Sequence, residues 1–238
     1  ILRDTVLFCD VHILHSYSSQ HTREIFRIGL PSAVQSMLFS GISMVIARLI
    51  AGWGDAAVAV QKVGSQIESI SWMTAEGYAA ALNSFVAQNH GAKNTDRIRE
   101  GYRLSMIVML SWGVFCSFVL IVFPQLIFQV FIQEAEVLPM GVDYLRILGV
   151  SQLFMCMEIT TAGAFSGLGK TLPPSIVSIT LTGARIPMAI LLGRWLGLNG
   201  VWWAITISSI GKGIVLLGWF LKDIKLTSIV SHKMCRNK

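Results

Sequence analysis

The sequence predicts an all-α fold, a polytopic membrane helix bundle with six transmembrane helices. Of its 238 residues, 53% are hydrophobic and only 13% are charged, and the mean hydropathy is +0.63. An ordinary soluble domain carries about 25% charge. So few charged side chains cannot coat a water-facing globule of this size, which argues against a soluble enzyme, and the apolar excess excludes a disordered chain. Six stretches approach the ~20 mostly apolar residues that a helix needs to cross a bilayer. Segments with strand-like alternation are absent. Backbone polar groups cannot stay unpaired in hydrocarbon, so helices do the spanning.

The first span runs from about Leu30 to Ile50 and the second from about Ala56 to Ala87, longer and more polar than the rest. The third, Leu104 to Phe123, lies in a charge-free stretch reaching Gln133. The fourth is Tyr144 to Leu168, the fifth Pro174 to Leu192 and the sixth Val201 to Leu221. Connections are read at Gly52 to Asp55, Gln88 to Arg103, Pro124 to Asp143, Gly169 to Pro173 and Leu196 to Gly200, with Leu126 to Ile132 as a short interfacial helix and Gly91 as the cap of the second span. The organisation follows: 1–29 as a cytoplasmic link and lead-in, 30–221 as the six-helix lobe, and 222–238 as a basic cytoplasmic tail.

Six spans place both ends of the chain on one side. That side collects Arg3, Arg23, Arg27, Lys93, Arg97, Arg99, Arg103, Lys170, Lys222, Lys225, Lys233, Arg236 and Lys238, 13 of the 19 Lys and Arg. Asp55, Glu134, Glu136 and Asp143 fall on the other. The positive-inside rule puts the basic side in the cytoplasm of a cell membrane. Topology thus accounts for the net charge of +6, with no need of nucleic acid as a partner. Cys9, Cys116, Cys156 and Cys235 keep no metal-like or redox spacing and are read as reduced, apolar-type thiols. The chain begins at Ile1 and shows no signal-peptide pattern; we read it as a piece of a longer protein.

Ionisable groups at membrane depth are costly and are tolerated mainly toward a bundle interior or a wet cavity. Glu68, Glu76, Glu158, Arg185 and Lys212 sit near mid-span. In the second span Gln61, Ser65, Glu68, Ser69, Trp72, Glu76 and Asn83 recur at helical steps and make one polar stripe, with Gln66 at its margin. Glu68 and Glu76 are separated by about 12 Å along the axis and about 80° around it, so both can look into one cavity. In the fourth span Ser151, Glu158, Thr161 and Phe165 share a face. The three glutamates are the candidates for ion and substrate coupling, suited to exchanging H+ or Na+. Gln61, Ser65, Gln66, Trp72, Asn83, Arg185 and Lys212 are candidates for lining the cavity or pairing with the acids. Lys212, between Gly211 and Gly213, is favoured as the ion-pair partner of a carboxylate; Arg185, two residues before Pro187, is expected to serve carbonyls freed at a proline kink or to pair with an acid. Ser32, Ser36, Ser40 and Ser43 read as close-packing contacts of the first span.

Ala164 to Thr171 fits a relaxed phosphate-loop pattern, but that chemistry needs a strand before the loop and free amides after it. A membrane span precedes it and Pro173-Pro174 follow, so it reads as a tight turn. There is no HExxH, no GxSxG and no paired-aspartate motif. His90 stands alone, and His12, His15 and His21 are spread too irregularly for a metal. Nothing points to an enzyme, an organic cofactor or a metal centre.

The second span and its exit, Gln61-Lys-Val-Gly-Ser-Gln-Ile-Glu-Ser-Ile-Ser-Trp72 through Ala-Gln-Asn-His-Gly-Ala92, resemble the multidrug and toxin extrusion (MATE) family. So do Thr161-Ala-Gly-Ala-Phe-Ser-Gly-Leu-Gly-Lys-Thr-Leu-Pro-Pro174, Ala184-Arg-Ile-Pro187 and Gly200-Val-Trp-Trp203. The resemblance runs from Ile28-Gly-Leu-Pro31 to about Leu221. It implies a twelve-span exporter of two six-helix lobes around a cavity that opens alternately to each side, in which cationic amphiphiles leave as H+ or Na+ enters. This chain resembles the C-terminal lobe, its partner being an N-terminal lobe or a second copy. A lipid-linked sugar flippase of the same superfamily and a non-transporting half-gene product are the competing expectations. Three glutamates against one Lys and one Arg at mid-span favour cationic cargo.

Overall fold

The computed structural model describes residues 19–132, 134 and 136–236; the side chains of 19–22, 24, 25, 28 and 224–236 fall outside the description. The stretch 1–18, with Arg3, Cys9, His12 and His15, therefore lies outside it, as do the side chains of His21, Lys225, Lys233, Cys235, Arg236 and Lys238. Among the described residues every regular element is a helix: α1 Ser19–Ala51, α2 Asp55–Gly91, α3 Thr95–Val122, α4 Pro124–Gln129, α5 Leu138–Gly149, α6 Gln152–Gly167, α7 Leu172–Gly183, α8 Arg185–Leu196 and α9 Leu198–Arg236. Segments Gly29–Ala51, Thr95–Val122, Leu172–Leu196 and Leu198–Asp223 are long and apolar enough to cross a membrane, and α5 with α6 makes a further span across a 46° bend. Helix α2, 37 residues long, has the length, but its polar stripe lowers its hydropathy. The chain is a multi-pass helical membrane protein.

Local chemistry sets the starts and stops. Proline stands in the first turn of α4, α5 and α7, where its missing N–H is not needed. The Asn94 side chain caps α3 by accepting from the Arg97 N–H at 3.3 Å. The connections are shorter than the sequence suggested. Only three residues separate α2 from α3 and only Gly197 separates α8 from α9. The α2 exit is turned by Lys93, with φ +56°, and not by Gly91, which remains helical. The Ala164 to Thr171 segment is a helix-turn-helix joint with Gly169 at φ +70°.

The bend between α5 and α6 contains no proline. Its freed carbonyls are met by hydroxyls: Thr206 donates to Ile147 at 3.0 Å, Ser151 to Leu148 at 2.8 Å, and Ser117 to Gly149. Hydrocarbon offers no water for this purpose, so such side chains are what makes a broken span tolerable. The α7/α8 break falls at Ala184, one turn before Pro187, because proline removes the N–H that the Gly183 carbonyl would accept and crowds that carbonyl.

Helix α2 packs most extensively on α6. The reason is small residues: a Cβ added to Gly163 would lie 2.7 Å from the Ala79 carbonyl oxygen, and one added to Gly167 would lie 2.6 Å from that of Asn83. These glycines, four apart, bring the two backbones into contact, which is how helices associate where lipid removes the hydrophobic incentive. Apolar clusters fill both ends, one around Phe128, Tyr144 and Trp202, the other around Tyr102, Phe165 and Phe220. Trp53 lies against Gly197 at one end. Lys170 pairs with Asp223 at 2.6 Å at the other. Helix α1 is barely covered, and Ser32, Ser36, Ser40 and Ser43 are exposed. Their expected close packing is not made within the described lobe; the Ser40 hydroxyl turns back to the Ser36 carbonyl at 3.0 Å.

Candidate functional site

Helical geometry divides the polar stripe of α2. Its buried face carries Val60, Gly64, Ile67, Ser71, Ala75, Leu82 and Val86. The stripe lies roughly a quarter turn from the centre of that face at about 100° per residue, along the seam between packed and open surface. Glu68 is on the inner edge of the seam and Glu76 on the outer. Ser65, Gln66 and Glu76 are exposed, while Gln61, Glu68, Trp72 and Asn83 are half-buried. The Gln61 carbonyl accepts from the Trp202 indole at 2.9 Å, tying α2 to α9. The indole edge-packs on Tyr144, with ring centroids 5.1 Å apart at 90°.

Three elements converge on Glu68. The Tyr144 ring crosses the gap left by Gly64, where a Cβ would sit 2.1 Å from the ring. Its hydroxyl faces Glu68, as does the Arg185 guanidinium. The tyrosine and glutamate approach one another without closing a hydrogen bond: Glu68 Oε1, Tyr144 Oη and Arg185 Nε are buried without partners, as are Gln152 Oε1 and Thr182 Oγ1. A buried polar group left unpaired costs about 1–3 kcal/mol. A helix bundle that carries several of them spends stability on something other than packing.

Glu158 on α6 faces α9. Its Oε2 lies 3.0 Å from Lys212 Nζ, with the two side chains only 13% and 8% exposed. Close approach makes the contact possible. Gly213 sits against the Phe154 carbonyl, where a Cβ would be 2.5 Å from the oxygen. One turn before Lys212, Ser209 accepts from Arg185 Nη2 at 3.3 Å. Arg185 lies within electrostatic range of both Glu68 and Glu158. The expected pairing of Lys212 with a carboxylate is therefore present. Arg185 is held by a hydroxyl between two acids, and not by the carbonyls at the helix break. Two acidic and two basic side chains form one cluster spanning α2, α6, α8 and α9.

Glu76 stands apart. The ion pairs among the described residues are Lys170 with Asp223 and Lys212 with Glu158, so Glu76 enters neither. The sequence did not single out Tyr144, Ser209, Gln152 or Thr182. Ser209 and Thr182 each lie three residues from a mid-span cation, which is the available signal for them; Tyr144 marked only a span end. Ser151, Thr161 and Phe165 serve structure: Thr161 meets the Tyr102 hydroxyl at 3.0 Å and Phe165 packs on Phe220 at 4.9 Å between centroids. No three His, Cys, Asp or Glu among the described residues gather as metal ligands. At the Trp53 end, an open pocket of about 640 Å³ is lined by Asp55, Ala56, Ala59, Phe131, Ile132, Glu134 and Val137.

The MatE family model matches residues 31–191. The probable multidrug resistance protein NorM of Thermotoga maritima is 30% identical over 212 residues, covering 86% of this chain and 44% of that protein. Human multidrug and toxin extrusion protein 1 is 22% identical over 172 residues, covering 71% of this chain and 30% of that protein. A crystal structure of MATE in the bent conformation shares the fold with a TM-score of 0.83 at 23% identity, covering 91% of this chain and 49% of the other. The Vibrio cholerae MATE transporter VcmN in the bent form gives 0.82 at 20% identity, covering 92% and 50%. The chain spans about half, or less, of the length of these relatives.

Proposed function

The chain belongs to the MatE family, and on that premise we propose that it forms one six-helix lobe of a secondary active multidrug efflux transporter. In this reading the transporter exchanges H+ or Na+ for cationic amphiphilic compounds across the cell membrane. It works as an antiporter and not as an enzyme, and it uses no cofactor beyond the coupling ion. Its other half is an N-terminal lobe or a second copy of this one. Both ends of the chain face the cytoplasm, and the two lobes rock about a midplane site.

The observation that carries the proposal is the buried quartet of Glu68, Glu158, Arg185 and Lys212. Charge at membrane depth marks ion or substrate pathways far more often than packing. Helix α2 places Glu76 on exposed surface, and most of α1 is exposed as well; such surface is where a second lobe would close a cavity. Glu76 sets a carboxylate on that surface, to which a positively charged, partly apolar cargo is suited.

The test is efflux. Cells expressing the whole protein should accumulate less of a cationic dye than cells without it, and the difference should collapse when the coupling ion's gradient is removed. Changing Glu68, Glu76 and Glu158 together to Gln should abolish the difference while the protein still reaches the membrane. Unchanged efflux with unchanged ion dependence would remove these residues from the mechanism.

A further inference from the structure

We propose that Met109 and Cys116 on α3 and Cys156 on α6 form an intramembrane site for a soft monovalent metal ion, copper(I) or silver(I). The inference goes beyond the efflux reading and does not depend on it. The site also lies apart from the charged cluster: Cys156 is two residues before Glu158, about 200° around the helix from it.

Close approach of two helices makes the site. Gly113 on α3 faces Cys156, and a Cβ added to that glycine would be 2.9 Å from the Leu153 Cα and 3.5 Å from Cys156 Sγ. Residues three and four apart on a helix share a face. Met109 stands four before Gly113 and Cys116 three after it, so the Cys156 thiol meets α3 between them. The contacts agree. Met109 and Cys156, 2% and 0% exposed, belong to one buried cluster. The Ser71 hydroxyl of α2 lies 3.9 Å from Cys156 Sγ and faces the Cys116 thiol as well, and the two thiols are within electrostatic range of one another. Three sulfurs from two helices therefore converge beside one hydroxyl. The cysteines are far apart in the chain, which is why their spacing showed no metal pattern.

The donors select the ion. Thiolate and thioether sulfurs are soft ligands that favour copper(I) over magnesium or calcium. Among the described residues no carboxylate or imidazole joins the two cysteines in a metal-binding group, so a hard cation finds no ligands. A structural zinc site takes four ligands, and three sulfurs suit an ion of lower coordination. A low-dielectric interior disfavours net charge. One monovalent ion and one thiolate sum to zero, with the second thiol and the thioether as neutral donors.

The ion needs no chamber of its own. Metal–thiolate bonds are about 2.3 Å, so two sulfurs sharing an ion stand about 4.6 Å apart and the ion fills the gap between them. Cys116 is half-buried, and rotation about its side-chain bond sets that separation. On binding, the S–H bond of one thiol breaks, its electron pair forms the sulfur–metal bond, and the proton passes to solvent. The metal keeps its oxidation state, so no oxidant or reductant takes part. The bound ion ties α3 to α6.

The test uses the whole protein, purified in detergent, with silver(I) as the probe. After equilibrium dialysis wild type should retain one silver ion more per protein than C116S/C156S. Its thermal unfolding temperature should rise by several degrees at a hundredfold excess over the dissociation constant, because the ion binds only the folded form; the double variant should not respond. M109L keeps the apolar bulk and removes the thioether, and should weaken binding roughly tenfold. X-ray absorption of the copper(I)-loaded protein should show sulfur alone around the metal. Equal silver retention by wild type and the double variant would overturn the inference, as would nitrogen or oxygen neighbours at the metal. Unaltered affinity of M109L would remove Met109 from the site. Should C156S not fold, C116S alone at the half-buried position decides: loss of the extra ion supports the site and its retention sinks it. Dye efflux is not among the readouts, so failure here and failure of the efflux reading stay distinct.

Discussion

Glu68 and Glu76 lie on the same helix, yet one looks inward at Tyr144 and Arg185 while the other lies on open surface. The contrast extends to whole faces of the lobe. The packed side of α2 meets α6 backbone to backbone and ends in the charged cluster; the exposed surface carries Ser65, Gln66 and Glu76 on α2 and a row of serines on α1. The packed face gains from every atom it covers, whereas the open face has polar groups that lipid would not tolerate. On the proposed reading, what differs is the neighbour: another helix of this lobe on one side, water and a second lobe on the other.

The comparison can be broken most severely at the α2/α6 contact. Gly163→Leu places a side chain where even a Cβ would be 2.7 Å from the Ala79 carbonyl oxygen. Because backbone cannot yield as a side chain does, the cost should exceed about 3 kcal/mol, and folded protein should be lost from the membrane in a fluorescence size-exclusion assay. Next comes the buried pair. Lys212→Met removes the ion-pair partner of Glu158 and should cost about 3–5 kcal/mol, and adding Glu158→Gln should recover much of it, because removing one partner of a buried pair is worse than removing both. Thermal unfolding in detergent measures the difference; equal losses for the single and double variants would mean the pair is not coupled.

Glu76 sharpens the contrast from the open side. Glu76→Gln should leave thermal stability unchanged, since surface substitutions usually stay within about 0.5 kcal/mol. It should nonetheless reduce efflux of a cationic dye by roughly tenfold, the loss of one ~1.4 kcal/mol charge contact. A large drop in stability with intact efflux would place Glu76 in the packing instead. The smallest effect is expected at the basic end of the bundle. Lys170 and Asp223 are 2.6 Å apart but their side chains are 47% and 25% exposed, so Asp223→Ala should cost less than about 1 kcal/mol and leave efflux unaltered.

Much of this was readable before any coordinates. Hydropathy determined a multi-pass helical bundle, because the bilayer permits few other solutions for such a composition. The glycine and proline positions located the turns to within a few residues, and the helical repeat collected Gln61, Glu68, Trp72 and Asn83 into one stripe. Lys212 was legible as a partner for a carboxylate because a lone ammonium at that depth needs one. Tertiary structure alone decided which carboxylate. Glu158 takes Lys212 since Gly213 lets α9 close onto α6, and Arg185 comes between Glu68 and Glu158 since the chain breaks at Ala184 and re-aims α8. The same packing brought in Tyr144 and Ser209, whose sequence positions announce no charge and no motif, and it left Glu76 outside. Periodicity reports the face of a helix; only the crossing of one helix on another sets what that face meets.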